Sequence, residues 1–351
     1  MRLAIVGAGI AGLAASHRLR EQRPEIDTVI FEQRHGPGGR ATTRRLHGAA
    51  FDYGAQYLKA PTPELHHFVA EMLPHATLVD IARPVWVFDA DGRIVPGDPE
   101  QNADPKWTYT DGLARLAEEL AAGLDIQYEV RVDHLAHDGQ EYVLVDAAGN
   151  EILRAAAVLL TPPAPQTSEI LGRSELPAVR RDALLAELGR AGYRPCLSVT
   201  LGYSQPPRER PFYALVNSDR HHPISWLAYE HLKPGRDMAG QGVLIAQMAP
   251  VWSHEHWDDA PGQIEQGTAE LVSRLLQEEL PRPAWSDLER WKYALPDSGC
   301  DSDRLHTGDG LFFAGDYLAG QGRIHLALQS GWAAAGRIAA WSSSSTAVLP
   351  P

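Results

Sequence analysis

Three glycines near the start of the chain have the spacing of a nucleotide-binding turn. Gly7, Gly9 and Gly12 follow a short apolar run and precede a helical pattern. In this spacing the first glycine allows a tight turn, the second lets the backbone approach a pyrophosphate, and the third lets a helix pack against a strand. The amides of the first helical residues, here Ile10 and Ala11, then face the anion. The pattern predicts a dinucleotide site.

An acidic residue follows at the distance expected for a contact with ribose. Glu32 ends the next apolar strand, Thr28 to Phe31, and lies 20 residues after Gly12. A carboxylate at this point accepts hydrogen bonds from the ribose hydroxyls and repels a 2′-phosphate. The order strand, turn, helix, strand predicts one βαβ unit over the first 32 residues.

The rest of the chain divides into two patterns. A stretch over 107–165 and a C-terminal strand followed by a helix from Ile324 to Trp341 continue the α/β pattern of the N-terminus. The middle of the chain instead mixes helices with alternating strands such as Leu197 to Leu201 and Val243 to Met248. The expected class is therefore α/β plus α+β, with a Rossmann-like nucleotide-binding domain and a second domain built on a mixed sheet.

Composition limits the possible functions. The chain has 351 residues, of which 44% are hydrophobic and 22% charged, so we expect a folded protein of about two domains. A net charge of −13 makes nucleic acid a poor partner. No apolar run in the sequence reaches the length of about 18 residues that is needed to span a membrane. Cys196 and Cys300 are the only cysteines, which fits a cytoplasmic location. The histidine pairs lack the spacing of metal ligands, so we expect no metal site.

Six further segments, spread over nearly the whole chain, resemble one family. They are Gly39-Arg40, Phe51 to Tyr57, Thr161 to Gln166, Arg290 to Ala294, Gly315 to Tyr317, and Gly322 to Ile324. Together they resemble the renalase-like branch of the flavin amine oxidase superfamily, which has a glutathione-reductase-like FAD fold. The resemblance implies a Rossmann-like FAD/NAD(P)-binding domain, with the mixed-sheet substrate domain capping the flavin. It also implies non-covalent FAD, since neither cysteine lies in a segment expected to touch the ring.

The resemblance assigns residues to parts of the cofactor. Gly39 and Arg40 are expected along the FAD phosphates, and Gly315 and Asp316 at the ribityl and phosphate part. The segment Gly54-Ala55-Gln56-Tyr57 is expected beside the isoalloxazine ring. Val130 is expected near the adenine, and Thr161 is expected at the cofactor as well.

The C-terminal helix is expected to aim its N-terminus, at Arg323 and Ile324, toward the pyrimidine side of the flavin. A helix N-terminus stabilises negative charge on a reduced flavin by about 0.3–2 kcal/mol. Where the family usually has Glu-Gly-Ala, this chain has His325-Leu326-Ala327. We therefore expect His325 to influence which substrate or which oxidant the enzyme prefers.

Amine oxidases of the wider superfamily often place a lysine, through a water, at flavin N5. This chain has four lysines. In a strand, Lys292 points away from the face that carries Trp291 and Tyr293. Lys59 follows the segment Gly54-Ala55-Gln56-Tyr57, which is expected beside the flavin, but a surface loop is the more common position for such a lysine. We expect the usual lysine to be absent.

These features favour a small-molecule substrate that needs no base. A renalase-like enzyme takes a hydride from an isomeric dihydronicotinamide, related to NAD(P)H, onto flavin N5, and O2 then gives hydrogen peroxide. An amine must first lose its ammonium proton, which calls for a base. The pocket wall is expected from Trp291, Tyr293 and Trp226. One alternative is an FAD-dependent amine oxidase or desaturase, and another is a non-catalytic carrier on the same fold.

Chain order gives the expected boundaries. The FAD-binding domain is predicted over 1–60, 107–165 and 307–342, and the substrate domain over 61–106 and 166–306. Residues 343–351 are predicted to form a frayed tail. The sequence carries no signal for a particular oligomeric state.

Overall fold

The computed structural model describes residues 1–236 and 238–346. The strands, in chain order, are β1 (Arg2–Val6), β2 (Asp27–Glu32), β3 (Thr43–Leu46), β4 (Ala49–Asp52), β5 (Leu78–Asp80), β6 (Val85–Phe88), β7 (Ile94–Val95), β8 (Trp107–Tyr109), β9 (Asp125–Tyr128), β10 (His134–His137), β11 (Tyr142–Val145), β12 (Glu151–Ala155), β13 (Ala157–Leu160), β14 (Tyr193–Tyr203), β15 (Ala214–Asn217), β16 (Ile224–Tyr229), β17 (Gly242–Met248), β18 (Trp285–Pro296) and β19 (Leu311–Phe313). The α-helices are α1 (Ile10–Gln22), α2 (Pro63–His67), α3 (Pro99–Ala103), α4 (Ala114–Ala121), α5 (Ala164–Arg173), α6 (Ala178–Leu188), α7 (Pro250–Glu255), α8 (Pro261–Leu276), α9 (Ser302–Leu305) and α10 (Ile324–Thr346).

The first of two compact units comprises Met1–Ala41, Leu116–Tyr193 and residues 295–346. Its main sheet has five parallel strands in the order β19-β13-β1-β2-β9. β1 lies at the centre, where Ile5 is paired with Ile30 on one side and Leu159 on the other. Because both faces of such a sheet are covered, its strands are short runs of buried aliphatic residues.

Helices and a second sheet cover this parallel sheet. α1 packs against α10 so closely that a Cβ at Gly331 would stand 2.3 Å from the carbonyl oxygen of Ala11. The other face, with Val6 and Leu160, packs on the antiparallel β10-β11-β12 sheet and on α5 and α6. The order of the strands reverses between β1 and β13, and ligands of open α/β sheets bind at the carboxyl ends of the strands at such a point.

The second unit comprises Thr42–Arg115 and Arg194–Ala294. Its seven-stranded sheet has the order β18-β14-β17-β16-β15-β6-β7. The sheet is mixed, because β15 pairs with β6 in parallel and with β16 antiparallel. Alternate residues face opposite sides: one face packs on α8, and the other packs Ala228, Ile245 and Trp291 against Phe51 and Tyr53. The segment Gly54-Ala55-Gln56-Tyr57, which is predicted to lie beside the isoalloxazine ring, falls in this unit.

The predicted Rossmann-like domain and mixed-sheet second domain are confirmed. The strand β9 ends at Tyr128, because Glu129 adopts a positive φ of 61°. The helix that begins at Pro63 is α-helical only to His67 and continues as a π-helix, Phe68–Met72. Within the described residues, no helix combines the length and apolar character needed to cross a bilayer.

The C-terminal helix is longer than expected. α10 continues to Thr346, so residues 343–346 of the predicted tail are helical. Ser343 and Ser344 support this turn, since their hydroxyls donate to the carbonyls of Ala339 and Ala340, four residues earlier. Residues 347–351 of that predicted tail lie outside the described part of the chain.

Candidate functional site

The nucleotide-binding turn joins β1 to α1, and two of its glycines are tightly packed. Gly7 has a φ of +102°, and a Cβ there would stand 2.6 Å from Thr161 Oγ1. The Thr161 hydroxyl lies 2.8 Å from the carbonyl oxygen of Val6 and 3.0 Å from that of Gly7. A Cβ on Gly12 would stand 2.2 Å from the Gly7 carbonyl oxygen. Thr161 therefore braces the turn that Gly7 and Gly12 allow to close.

Gly9 differs from its neighbours because it borders open space. A Cβ at Gly9 would meet no described atom within 4 Å. Gly9 caps α1 with extended backbone, and within the described chain neither a capping side chain nor an acidic residue in the first turn occupies this helix end. The first amides of a helix have no intrahelical acceptor. The N-terminus of α1 is thus free to bind an anion.

A second glycine loop lies against the first. Gly38 donates its amide to the carbonyl of Ala8 at 2.9 Å and forms a β-bridge with Gly9. Gly39 has a φ of +59°, and a Cβ on it would lie 3.5 Å from the Cα of Gly9. The backbones of Gly9 and of Gly38-Gly39 therefore lie against each other at the start of α1, and none of these residues carries a side chain. This arrangement fits a pyrophosphate, which must approach backbone amides closely.

Glu32 holds the turn through its side chain. One carboxylate oxygen accepts from the amide of Ala8 at 2.8 Å, and the other accepts from the amide of Arg34 at 2.8 Å. Each oxygen keeps a second acceptor site, which suits the hydroxyls of a ribose. Val130 lies beside it and donates its amide to the Glu32 carbonyl at 3.0 Å. The structure thus brings two predicted cofactor residues together at the ends of β2 and β9.

The early and late motifs meet in an ion pair. Arg40 Nη2 lies 2.7 Å from Asp316 Oδ1, although the residues are 276 positions apart. Asp316 is buried and opens a short 3₁₀ turn, Asp316–Ala319, while the amide of Gly315 donates to the hydroxyl of Ser330 on α10. In this position one cation and one carboxylate are available together, which suits a phosphate and a sugar hydroxyl.

The start of α10 agrees with the predicted boundary. The helix begins at Ile324, and the carbonyl of Arg323 accepts its first hydrogen bond, from the amide of Ala327. The Arg323 side chain folds back on the carbonyl of Gly322 at 2.8 Å. His325 is half-buried in the first turn.

Aromatic side chains line one side of the second unit. The ring of Trp291 stacks on Tyr53 at 5.6 Å between centroids and 17° between planes. Trp226 packs against Tyr57 at 6.0 Å and against Tyr213 at 6.2 Å. We call Tyr53, Tyr57, Trp226 and Trp291 the aromatic cluster. It flanks Gly54-Ala55-Gln56-Tyr57, so two predicted substrate residues and the predicted flavin-side segment come together, while Tyr293 lies farther along β18 beside Lys292.

The backbone between the two tyrosines is pinned by amide side chains. Gln56 Nε2 donates to the carbonyl of Asp52 and, at 3.3 Å, to that of Gly54. Gln247 Nε2 also donates to the Gly54 carbonyl, at 2.6 Å. Trp291 donates its indole N–H to the carbonyl of Tyr53 at 3.2 Å. The segment is therefore rigid on its inner side.

Sequence reasoning missed a group of buried charges beneath this segment. Asp52, Glu230, Lys233 and Arg236 have fully buried side chains and lie within ion-pair distance of one another. Burial opposes ionisation of Asp52, but Lys233 and Arg236 hold its pKa below the ordinary value. Burial raises the pKa of Glu230, and Lys233 offsets part of this effect. The signal available in the sequence was an aspartate between Phe51 and Tyr53.

Each of the four lysines contacts other residues of the second unit. Lys233 belongs to the buried charges. Lys106 is buried with its ammonium 3.2 Å from the carbonyl of Asn102, and Lys59 pairs with Asp104 at 3.3 Å. Lys292 is exposed on β18, with its ammonium 5.3 Å from the centroid of the Tyr293 ring.

Neither cysteine is activated. Burial raises the pKa of Cys196 to about 12 and that of Cys300 to about 11. Both side chains therefore remain thiols near neutral pH, and a thiol is a far weaker nucleophile than a thiolate.

Comparison with known families identifies the fold's relatives. The model of the NAD(P)-binding Rossmann-like domain matches residues 5–72. The model of the flavin-containing amine oxidoreductases matches residues 97–339, more than half of the chain. The chain belongs to the flavin-containing amine oxidoreductase family. FAD is accordingly the cofactor, and the open space at Gly9, the α1 N-terminus and the Arg40–Asp316 pair fit it.

Individual relatives agree with this family. The 4,4'-diapophytoene desaturase (4,4'-diaponeurosporene-forming) of Staphylococcus aureus is 32% identical over 103 residues, which is 28% of this chain and 20% of that relative's length. A proposed protoporphyrinogen oxidase from Exiguobacterium sp. 255-15 has a TM-score of 0.77 at 16% identity, covering 96% of this chain and 98% of that one. Cyclohexylamine oxidase from Brevibacterium oxydans IH-35A has a TM-score of 0.75 at 15% identity, covering 97% and 98%. The predicted superfamily is confirmed, and the renalase-like branch stays a prediction.

Proposed function

We propose that this flavoprotein removes a hydride from a small neutral donor, an isomeric dihydronicotinamide related to NAD(P)H, and passes the electrons to O2. The observation that carries the proposal is that all four lysines contact other residues of the second unit. The Lys233 ammonium lies 5.9 Å from the centroid of the Tyr213 ring, and two carboxylates hold it in ion pairs. These contacts place Lys233 in the buried group of charges, so we assign it no role as a base.

A neutral hydride donor suits such a site. A dihydronicotinamide is uncharged at its reacting ring and leaves as a pyridinium, so no proton has to be removed before the hydride departs. An amine donor must first lose a proton to a base of suitable pKa. The partly exposed rings of Tyr57 and Trp226 offer flat apolar surfaces for a heteroaromatic ring, and behind them the buried rings of Tyr53 and Trp291 stack on each other.

A buried donor in the aromatic cluster also favours a substrate with a carbonyl. Trp226 Nε1 is buried and, within the described part of the chain, has no hydrogen-bond acceptor. An unsatisfied buried donor costs about 1–3 kcal/mol. The carboxamide oxygen of a nicotinamide would accept from it after a small rotation of the ring, whereas an ammonium group has no acceptor to offer.

The remaining residues bind and orient. The turn of Gly7, Gly9 and Gly12, with Arg40, would hold the FAD phosphates, and Glu32 the ribose hydroxyls. When bound, FAD supplies the two-electron acceptor. The rigid Gly54-Ala55-Gln56-Tyr57 backbone would fix the position of the ring, and the aromatic cluster would exclude water and align the donor, which is the positioning that a hydride transfer requires.

The test is the visible spectrum of the holoenzyme during anaerobic mixing. Isomeric dihydronicotinamides are mixed in one series and primary and secondary amines in another. We expect rapid bleaching of the flavin by the dihydronicotinamides and none by the amines. Bleaching by an amine alone would overturn the proposal, and a purified protein without any flavin would favour a carrier.

A second candidate is an amine oxidase or desaturase, and family membership is the observation that favours it. The matching family model is that of flavin-containing amine oxidoreductases, and the solved relatives include a cyclohexylamine oxidase. This candidate requires a base, and the four lysines make the other contacts described above. The amine and polyene arms of the same mixing experiment test it directly.

A further inference from the structure

The buried ion cluster of Asp52, Glu230, Lys233 and Arg236 is connected to the flavin-side segment by a continuous path of hydrogen bonds. Every polar atom of Asp52 takes part. Its amide donates to Glu230 Oε1 at 3.1 Å, and its carbonyl accepts from Gln56 Nε2. One carboxylate oxygen accepts from the Thr43 hydroxyl at 2.6 Å and from the amide of Leu113 at 2.9 Å.

The other carboxylate oxygen of Asp52 accepts from the two cations. Lys233 Nζ lies 2.7 Å from it, and Arg236 Nη2 also donates to it. Lys233 bridges to Glu230 Oε2 at 2.8 Å, so the same ammonium joins both carboxylates. With both acids ionised, the two negative and two positive charges cancel. Such a cluster holds one geometry, because each buried charge depends on its partners.

The path continues from Asp52 into the segment proposed to lie beside the flavin. Gln56 bridges the carbonyls of Asp52 and Gly54, and the hydroxyl of Tyr213 donates toward the Gln56 side-chain oxygen at 3.4 Å. The ring of Tyr213 lies next to the Lys233 ammonium on one side and Trp226 on the other. A shift of Lys233 is therefore transmitted to both the backbone of the segment and the aromatic cluster.

We propose that Lys233 is a positioning residue, which acts through Asp52 and Gln56 to fix Gly54-Ala55-Gln56-Tyr57 against the flavin. This inference rests on the proposed placement of the segment at the ring, but not on the identity of the hydride donor. A buried ion cluster adds little net stability compared with apolar residues of the same volume. The ion cluster instead sets the position of the Gly54-Ala55-Gln56-Tyr57 segment. A displacement of about 1 Å in a reactive site slows a reaction about 100-fold.

The test compares Lys233→Met with Lys106→Met as holoenzymes. Both changes remove a buried lysine of the second unit, but the Lys106 ammonium donates to the carbonyl of Asn102 and has no place in the buried group of charges. The readouts are the thermal midpoint, the absorption maxima of the bound flavin and its midpoint potential in a dithionite titration. We expect both variants to lower the thermal midpoint. Only Lys233→Met is expected to shift the flavin maxima and potential, and to slow flavin reduction by the donor about 10- to 100-fold.

A double variant tests the path. Gln56→Met is expected to shift the flavin maxima in the same direction as Lys233→Met, and the double variant is expected to shift them by less than the sum. If Lys233→Met fails to fold, Glu230→Gln takes its place, because it keeps the shape and the acceptor for the Asp52 amide while removing one charge. Unchanged flavin maxima and potential in the folded Lys233→Met or Glu230→Gln protein would overturn the proposal. Because spectrum and potential are measured without a donor, failure of the proposed substrate leaves this result intact.

Discussion

Replacing Gly9 with alanine separates binding of FAD from stability of the nucleotide-binding turn. The space around Gly9 is open, and its φ of −74° and ψ of 172° are ordinary for alanine. Loss of a good N-cap residue destabilises the helix by about 1 kcal/mol. Alanine also reduces the conformational entropy of the unfolded chain, which stabilises the folded protein by about 0.4–1 kcal/mol and offsets part of this loss. We therefore expect the free energy of unfolding of the apoprotein to change by less than about 1 kcal/mol.

The effect on FAD is expected to be much larger. A phosphate beside Gly9 would approach the α1 amides at hydrogen-bond distance, and a methyl group in that space forces it away. Each hydrogen bond to a charged group contributes about 1.5–3 kcal/mol. Losing one of them weakens FAD binding about 10- to 100-fold.

Two other glycine-to-alanine variants serve as controls for this result. In Gly12→Ala the new Cβ would meet the backbone carbonyl of Gly7 at 2.2 Å, so the turn itself must move and the thermal midpoint of the apoprotein should fall. In Gly267→Ala, within α8, the new Cβ meets nothing within 4 Å, so stability should rise slightly and FAD affinity stay constant. Apoprotein melting and titration of FAD fluorescence measure the two quantities. Wild-type FAD affinity in Gly9→Ala would refute the placement of the pyrophosphate at this turn.

Three further predictions concern the ribose, the pocket and pH. Glu32→Gln keeps one oxygen acceptor for the backbone but removes the charge, so FAD affinity should fall about tenfold in an FAD titration, and an unchanged affinity would argue against a ribose contact. Trp226→Phe keeps an aromatic ring but removes the indole N–H, so the KM for a dihydronicotinamide should rise about tenfold with little change in FAD content; an unchanged KM would mean that this N–H does not bind substrate. Burial lowers the pKa of His222, His231 and His306 below the ordinary value of 6.5. Their contribution to stability is thus complete above that value and is lost as the pH falls below it, because the unfolded chain then binds more protons. Urea unfolding at pH 7.5, 6.5 and 5.5 should show this decline, and a stability that is level or rises toward acid would contradict it.

The nucleotide-binding turn was predictable because its signals are local. Gly7, Gly9, Gly12 and Glu32 lie within one βαβ unit, and each residue type follows from a backbone requirement of that unit. The assignment of Arg40 and Asp316 to the cofactor came from the family resemblance, and their pairing was not predicted, since no periodicity links residues 276 positions apart.

The buried charges could not be found in the same way. Asp52 and Lys233 are 181 positions apart, and in the sequence each looks like an ordinary surface residue. Their burial follows from the folding of β4 against the mixed sheet, which is a tertiary event. The end of β9 depended likewise on the conformation of one residue, Glu129, whose positive φ is not encoded by residue type.

The pH dependence of anaerobic flavin reduction shows whether the donor is neutral and needs no base. An isomeric dihydronicotinamide is mixed with the holoenzyme from pH 6.5 to 9, and the bleaching rate is followed. We expect the rate to be level across this range and the product to be NAD(P)+. A rate that rises steeply with pH, or bleaching only by amines with a rate that follows their deprotonation, would contradict it.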